Sequence, residues 1–224
     1  MAWQEAQERI QQALPSPVKF FTPAVTAILI LMIVGFALLV HAPEFTLSVL
    51  ALNPSGVLTG RVWQLISYSL VNTPCNLAFN GLAVLFFGSA VEREWRTRSF
   101  LLLWVVTSAV CGVIWMMVSF LLGKDLVGFS TAPAVYGIVA AFGMLFYGKK
   151  LIIIFWTIEA HVLALILIGV GVIMGIANPL MWIWVAGAGV AYVYIKLVWR
   201  ARKSRATKAY GSKSSKSKGF VEVD

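Results

Sequence analysis

The sequence predicts an all-α polytopic membrane protein: six transmembrane helices in one bundle, with a structured first outer loop. Three observations carry that prediction. The 224 residues are 60% hydrophobic and only 12% charged, about half the charge of a soluble domain, and the mean hydropathy is +0.86. Apolar residues gather into six stretches, at about 22–41, 73–91, 99–122, 131–147, 160–177 and 179–199. The third observation is that lysine and arginine fall almost entirely on alternate connections between those stretches.

At 1.5 Å per residue, roughly 20 residues cross the hydrocarbon core, so five of the stretches are long enough to span as helices. The fourth is shorter and carries Gly137 and Gly143. A short helix of small residues is expected inside the bundle, where neighbours shield its ends. Asn178-Pro179 separates the fifth and sixth stretches as a turn. Gly171-x-x-x-Gly175 and Gly187-x-x-x-Ala191 mark faces for close helix contact within the bundle.

The connections are less regular. The first twenty residues carry Glu5, Glu8 and Arg9 before any apolar run, so no cleavable signal peptide is expected. Residues 2–14 place Trp3, Ala6, Ile10, Ala13 and Leu14 on one face; an interfacial helix and an unstructured leader fit that pattern equally. Residues 42–72 are too apolar for a solvated loop and are broken by Asn53-Pro54-Ser55-Gly56, which suggests a hairpin half-sunk in the outer leaflet. Residues 149–159 read as an extended interfacial stretch, and the Lys/Ser-rich 201–224 as a disordered tail. The chain thus divides into 1–21, a membrane domain at 22–200, and a basic tail at 201–224.

With the N-terminus cytoplasmic, 16 of the 18 lysines and arginines fall inside, and only Arg61 and Lys124 fall outside. Both termini are therefore expected in the cytoplasm. The net charge of +9 lies mostly in Arg200–Lys218, directly after the last span. That placement favours anionic lipid, at about 1 kcal/mol per basic residue near the surface, over nucleic acid. The short loops point to a bacterial inner membrane ahead of the endoplasmic reticulum. His41, His161, Cys75 and Cys111 do not form a ligand pattern, so neither a metal nor another cofactor is expected.

Three patches carry a resemblance. Gly60-Arg61-Val62-Trp63-Gln64-Leu65-Ile66-Ser67-Tyr68 resembles the Trp-Arg segment of the first loop of the rhomboid family, with Gln64 where arginine is usual. Asn76 to Asn80, followed by Gly88-x-x-x-Glu92, resembles the second rhomboid helix, which typically reads His-x-x-x-Asn and Gly-x-x-x-Glu. Thr131-Ala132-Pro133-Ala134-Val135-Tyr136-Gly137 resembles the start of the fourth, where the family has Ala-Ser before Gly or Pro and Ala-Val-Tyr-Gly. The similarity extends over roughly residues 20–200.

In rhomboid proteases a serine on the fourth helix attacks a peptide bond, a histidine on the sixth takes its proton, and second-helix side chains stabilise the oxyanion. By that resemblance, the nucleophile position is Ala132 and the base position, near Gly187, is Trp184; the two are expected to face each other in the outer third of the bundle. The oxyanion positions are Asn76 and Asn80, which share a face and equally suit plain helix–helix bonding. A methyl group cannot attack, so the resemblance implies a pseudoprotease that binds transmembrane segments of client proteins beside helices two and five.

Two alternatives remain. An intramembrane serine endopeptidase with relocated residues would have to use Ser130, with His161 as the candidate base, yet helix four separates them. A channel or small transporter has only Asn76 and Asn80 to line a pathway. Glu92 is expected to cap the inner end of its own helix, near Arg93 and Arg96, and Glu159 and His161 to form a polar pair near the inner interface.

Overall fold

A computed structural model describes residues 21–153 and 156–198. The expected leader helix at 2–14 and the tail at 201–224 lie outside them.

The first span, α1 (Pro23–His41), starts on a proline whose missing N–H costs nothing in a first turn. Its buried residues Ala24, Val25, Ile28, Met32 and Gly35 form one stripe at helical spacing; Ile30, Ile33 and Val34 point outward. The stripe packs on α5 (Pro74–Trp95) and α6 (Thr97–Leu121). Within α5 the turn Val84–Gly88 is wider, with π-type bonding.

Three short helices fill the outer loop: α2 (Pro43–Val49), α3 (Pro54–Leu58) and α4 (Gln64–Ser67), the last running into a 3-10 turn at Tyr68–Leu70. The loop is structured as expected, but it is helical rather than a hairpin, since Pro43 and Pro54 each begin a helical turn. The Trp63-Gln64 patch closes it. Gln64, fully buried, donates to Ser48 O at 2.9 Å and accepts the Asn53 N–H at 3.2 Å. Trp63 Nε1 donates to Val49 O at 2.9 Å, Arg61 to Ser48 O at 2.8 Å, and Ser67 Oγ to Leu50 O at 2.8 Å. The patch therefore satisfies the carbonyls that α2 leaves unbonded at its end. Tyr68 ties the loop to α6 by donating to Ser108 O at 2.9 Å, and its burial raises the phenol's pKa above the ordinary value.

The fourth span, α7 (Ala132–Leu145), has 14 residues, of which 11 are buried. It is about 21 Å long, too short to cross a bilayer alone, and its place among α5, α6 and α8 (Ala160–Ala177) makes up the difference. Small residues set the distances. A Cβ on Gly137 would lie 2.8 Å from Thr107 Cγ2, and one on Gly143 would lie 2.7 Å from Ala164 Cβ. The extended stretch before α8 folds back as an antiparallel pair, β1 (Lys150–Ile153) with β2 (Trp156–Glu159). After the Asn178 turn, where Oδ1 accepts the Leu180 N–H at 3.1 Å, α9 runs over Pro179–Val198.

Glu92 corrects its expected role. It does not cap its own helix against Arg93 and Arg96. Its oxygens instead accept the N–H groups of Ala24 and Val25, each at 3.0 Å, the Thr97 hydroxyl at 2.7 Å, and the Thr22 hydroxyl. The carboxylate is thus the N-terminal cap of α1, lent by α5. It sits where two amides lack helical partners and the helix dipole is positive. One turn earlier, a Cβ on Gly88 would lie 3.0 Å from Val25 Cγ2 and 3.3 Å from Phe100. The Gly-x-x-x-Glu spacing has a mechanical meaning here: the glycine lets α1 approach and the glutamate ties down its end.

Candidate functional site

At the head of α7 the chain runs Ser130-Thr131-Ala132-Pro133. Asn72, fully buried, fixes it there. Its amide donates to Thr131 Oγ1 at 2.5 Å and its carbonyl accepts the Thr131 N–H at 3.2 Å; Thr131 Oγ1 donates in turn to Ser69 O. Ser130 donates its N–H to Tyr68 O at 3.2 Å, and its Oγ accepts the Ala132 N–H at 3.1 Å. A two-residue bridge between Leu52 and Gly128 closes the same corner. Every hydroxyl here is engaged in holding backbone. Ala132 itself is buried and presents only a methyl group.

Asn72 and Thr131 lie outside the motif positions Asn76, Asn80 and Ala132, although they do most to shape the α7 head. Asn72, Asn76 and Asn80 are spaced four apart, and that stripe was the available signal. It was hidden because Asn72 precedes Pro74, outside the helix. Asn80 reaches the network through its amide, 3.4 Å from Asn72 Oδ1. Asn76 is half-buried and has no side-chain hydrogen bond among the described residues.

Trp184 is brought to the α7 head, but one step along from Ala132. Its ring lies 6.3 Å from that of Tyr136, and it shares with Ser130, Pro133, Tyr68 and Trp115 a largely apolar cavity of about 220 Å³. The contact is close because Gly187 has no side chain: a Cβ there would lie 2.0 Å from Pro133 O. Neither histidine lines this cavity. His161 is at the other end of α7, stacked on Tyr147 at 4.4 Å with Nδ1 3.2 Å from Glu159 Oε2. The length of α7, about 21 Å, separates it from Ser130. Among the described residues no three His, Cys, Asp or Glu side chains converge as metal ligands would.

A second cleft of about 280 Å³ opens between α5 and α8, with α7 as its floor. Phe79, Asn80 and Phe87 form one wall, Leu167 and Val170 the other, and Val135 and Tyr136 the base. Phe79 stands at its mouth, 76% exposed. Tyr136 reaches α8 because Gly171 yields space; a Cβ there would lie 2.4 Å from the Tyr136 ring. Asn80 is the one amide in an otherwise hydrocarbon and aromatic lining.

Among the described residues five helices are long and apolar enough to cross a membrane, and α7 is a shorter apolar one. No curated protein matches the chain. The family model that does match, over residues 23–216, is described as eukaryotic, which does not favour the bacterial inner membrane expected from the short loops. Loop length reports only what a bundle carries outside the bilayer, and so cannot distinguish one cell's membranes from another's. The match covers well over half of the sequence, and the chain belongs to this family of multi-pass proteins, described as eukaryotic integral membrane protein (DUF1751).

Proposed function

We propose that this protein is a non-catalytic, rhomboid-type membrane protein that holds transmembrane segments of client proteins in the cleft between α5 and α8. In this reading both termini are cytoplasmic and the membrane is the endoplasmic reticulum or one continuous with its traffic. The observation that carries it is the cleft itself: an apolar trough along two spans with one amide, Asn80, in its wall. A client helix laid there packs its side chains against Phe79 and Leu167, and a polar group on it gains about 1 kcal/mol from Asn80. At the α7 head, Ala132 offers no nucleophile. Ser130 accepts a backbone N–H, and a hydroxyl is activated only by a base within hydrogen-bond reach.

The test places a photo-crosslinking amino acid at Leu167, at Phe79 and, as control, at Ile33 on the outward face of α1. Protein adducts at Leu167 and Phe79, competed by a synthetic transmembrane peptide bearing one asparagine, are expected; Ile33 should give lipid adducts. Equal patterns at all three positions sink the reading. The protease alternative has its own measurement. The purified protein should leave a transmembrane substrate intact, and cleavage abolished by Ser130→Ala would replace this proposal with an enzymatic one.

A further inference from the structure

Between α8 and α9, at the end where α7 finishes, lies a crevice of about 360 Å³ that is distinct from the client cleft. Away from its mouth the lining is hydrocarbon: Ala140, Met144, Ile168 and Ala188, with the exposed Leu165 at the rim. Polar tips occur at one end only, from Tyr147, His161 and Tyr192. Two ammonium groups stand at that end. Lys196 Nζ lies 4.5 Å from the Tyr192 ring centroid, and Lys149 Nζ lies 4.9 Å from that of Phe146. Both lysines are exposed, so their charge faces outward. The N-terminus of α8 opens at the same place with no side chain capping it, and the helix dipole there is positive. Among the described residues one acid is present there, Glu159, half-exposed, with Oε2 3.2 Å from His161 Nδ1 but without hydrogen-bond geometry; the two lysines outnumber it.

We propose that this crevice is a binding site for an anionic phospholipid, with an acyl chain along Leu165, Ile168 and Ala188 and the phosphate between Lys149 and Lys196. The crevice is apolar along its length, with Lys196 set on the ring of Tyr192 at its mouth and Lys149 two residues beyond Tyr147, which is the polarity of such a lipid. A neutral zwitterionic lipid would fill the hydrocarbon part equally well but gain little at the mouth. The Arg200–Lys218 run follows α9 directly in the sequence and draws the same lipids to this end of the bundle without selecting a pocket.

The experiment uses the full chain in nanodiscs containing equal parts phosphatidylserine and phosphatidylcholine, released into a mass spectrometer. Phosphatidylserine should remain bound in preference to phosphatidylcholine. The double variant Lys149→Gln/Lys196→Gln should retain it roughly thirtyfold more weakly, the effect of two surface charges. Ala188→Trp, which fills the crevice and leaves every charge in place, should lose it as well. Equal retention of both lipids, or retention unchanged in both variants, overturns the proposal and assigns the effect to the basic tail. Phosphatidylserine with a diazirine on its acyl chain reports on the unaltered protein. Adducts must fall within 140–147, 164–168 or 188–192, and adducts confined to other segments also overturn it. The client cleft is tested at Phe79 and Leu167, so either site can fail alone.

Discussion

Glu92 is the residue on which most depends. Its carboxylate serves two helix amides and two hydroxyls, and Glu92→Ala leaves them unsatisfied in an apolar setting. A loss of about 2–4 kcal/mol is expected, read as a lower thermal midpoint in detergent. Glu92→Gln, which keeps one carbonyl acceptor, should lose less; equal losses would mean that the charge, not the cap, is what matters. Nearby charges in sequence suggested Arg93 and Arg96 as its partners, because a single sequence shows only neighbours along the chain. Its partners Ala24 and Val25 are brought in by folding. The bond between Asn72 and Thr131 was illegible for the same reason, the two being 59 residues apart. The α7 head gives a further prediction. Ala132→Ser alone should not react with a fluorophosphonate probe, because neither histidine lines the cavity at the α7 head and His161 stands at the other end of that helix. Labelling of that variant would show that a base is within reach after all.

Elements were more legible than their contacts. Hydropathy is a local sum, so the spans could be bracketed, and the end of α5 was short by only four residues. Burial of the short fourth span followed from its length and glycines. The outer loop was less readable, since Phe45, Leu47 and Leu50 suit a strand or a helix; the prolines that start α2 and α3 were the deciding signal. Close packing also makes α9 uneven in its tolerance. Gly187→Ala drives a methyl into the Pro133 carbonyl, which cannot move without shifting α7, and should cost at least about 1–3 kcal/mol. Gly189→Ala meets nothing within 4 Å and should be neutral or gain up to about 1 kcal/mol from helix propensity. Paired unfolding curves check both, and similar behaviour of the two would place α9 in a different rotation. The face glycines of α8 and α9 were readable as packing residues, whereas which partner each admits required coordinates.

For the molecule as a whole, the charge distribution makes a sidedness prediction. In a Cys75→Ser background, Lys124→Cys should react with a membrane-impermeant maleimide from the side opposite the termini, and Arg98→Cys only after permeabilisation on that side. The reverse pattern would invert the bundle and, with it, the leaflet that supplies lipid to the crevice. The family description placed the chain among eukaryotic membrane proteins, something loop lengths had no means of indicating. The cap on α1 has a consequence for how the protein is made. Thr22 and Glu92 are 70 residues apart, and at ~5–20 residues per second a ribosome needs roughly 4–14 s to span that interval. Until Glu92 has been made, the amides of Ala24 and Val25 have only water or lipid headgroups to meet them. The N-terminal cap of α1 therefore closes only when α5 arrives.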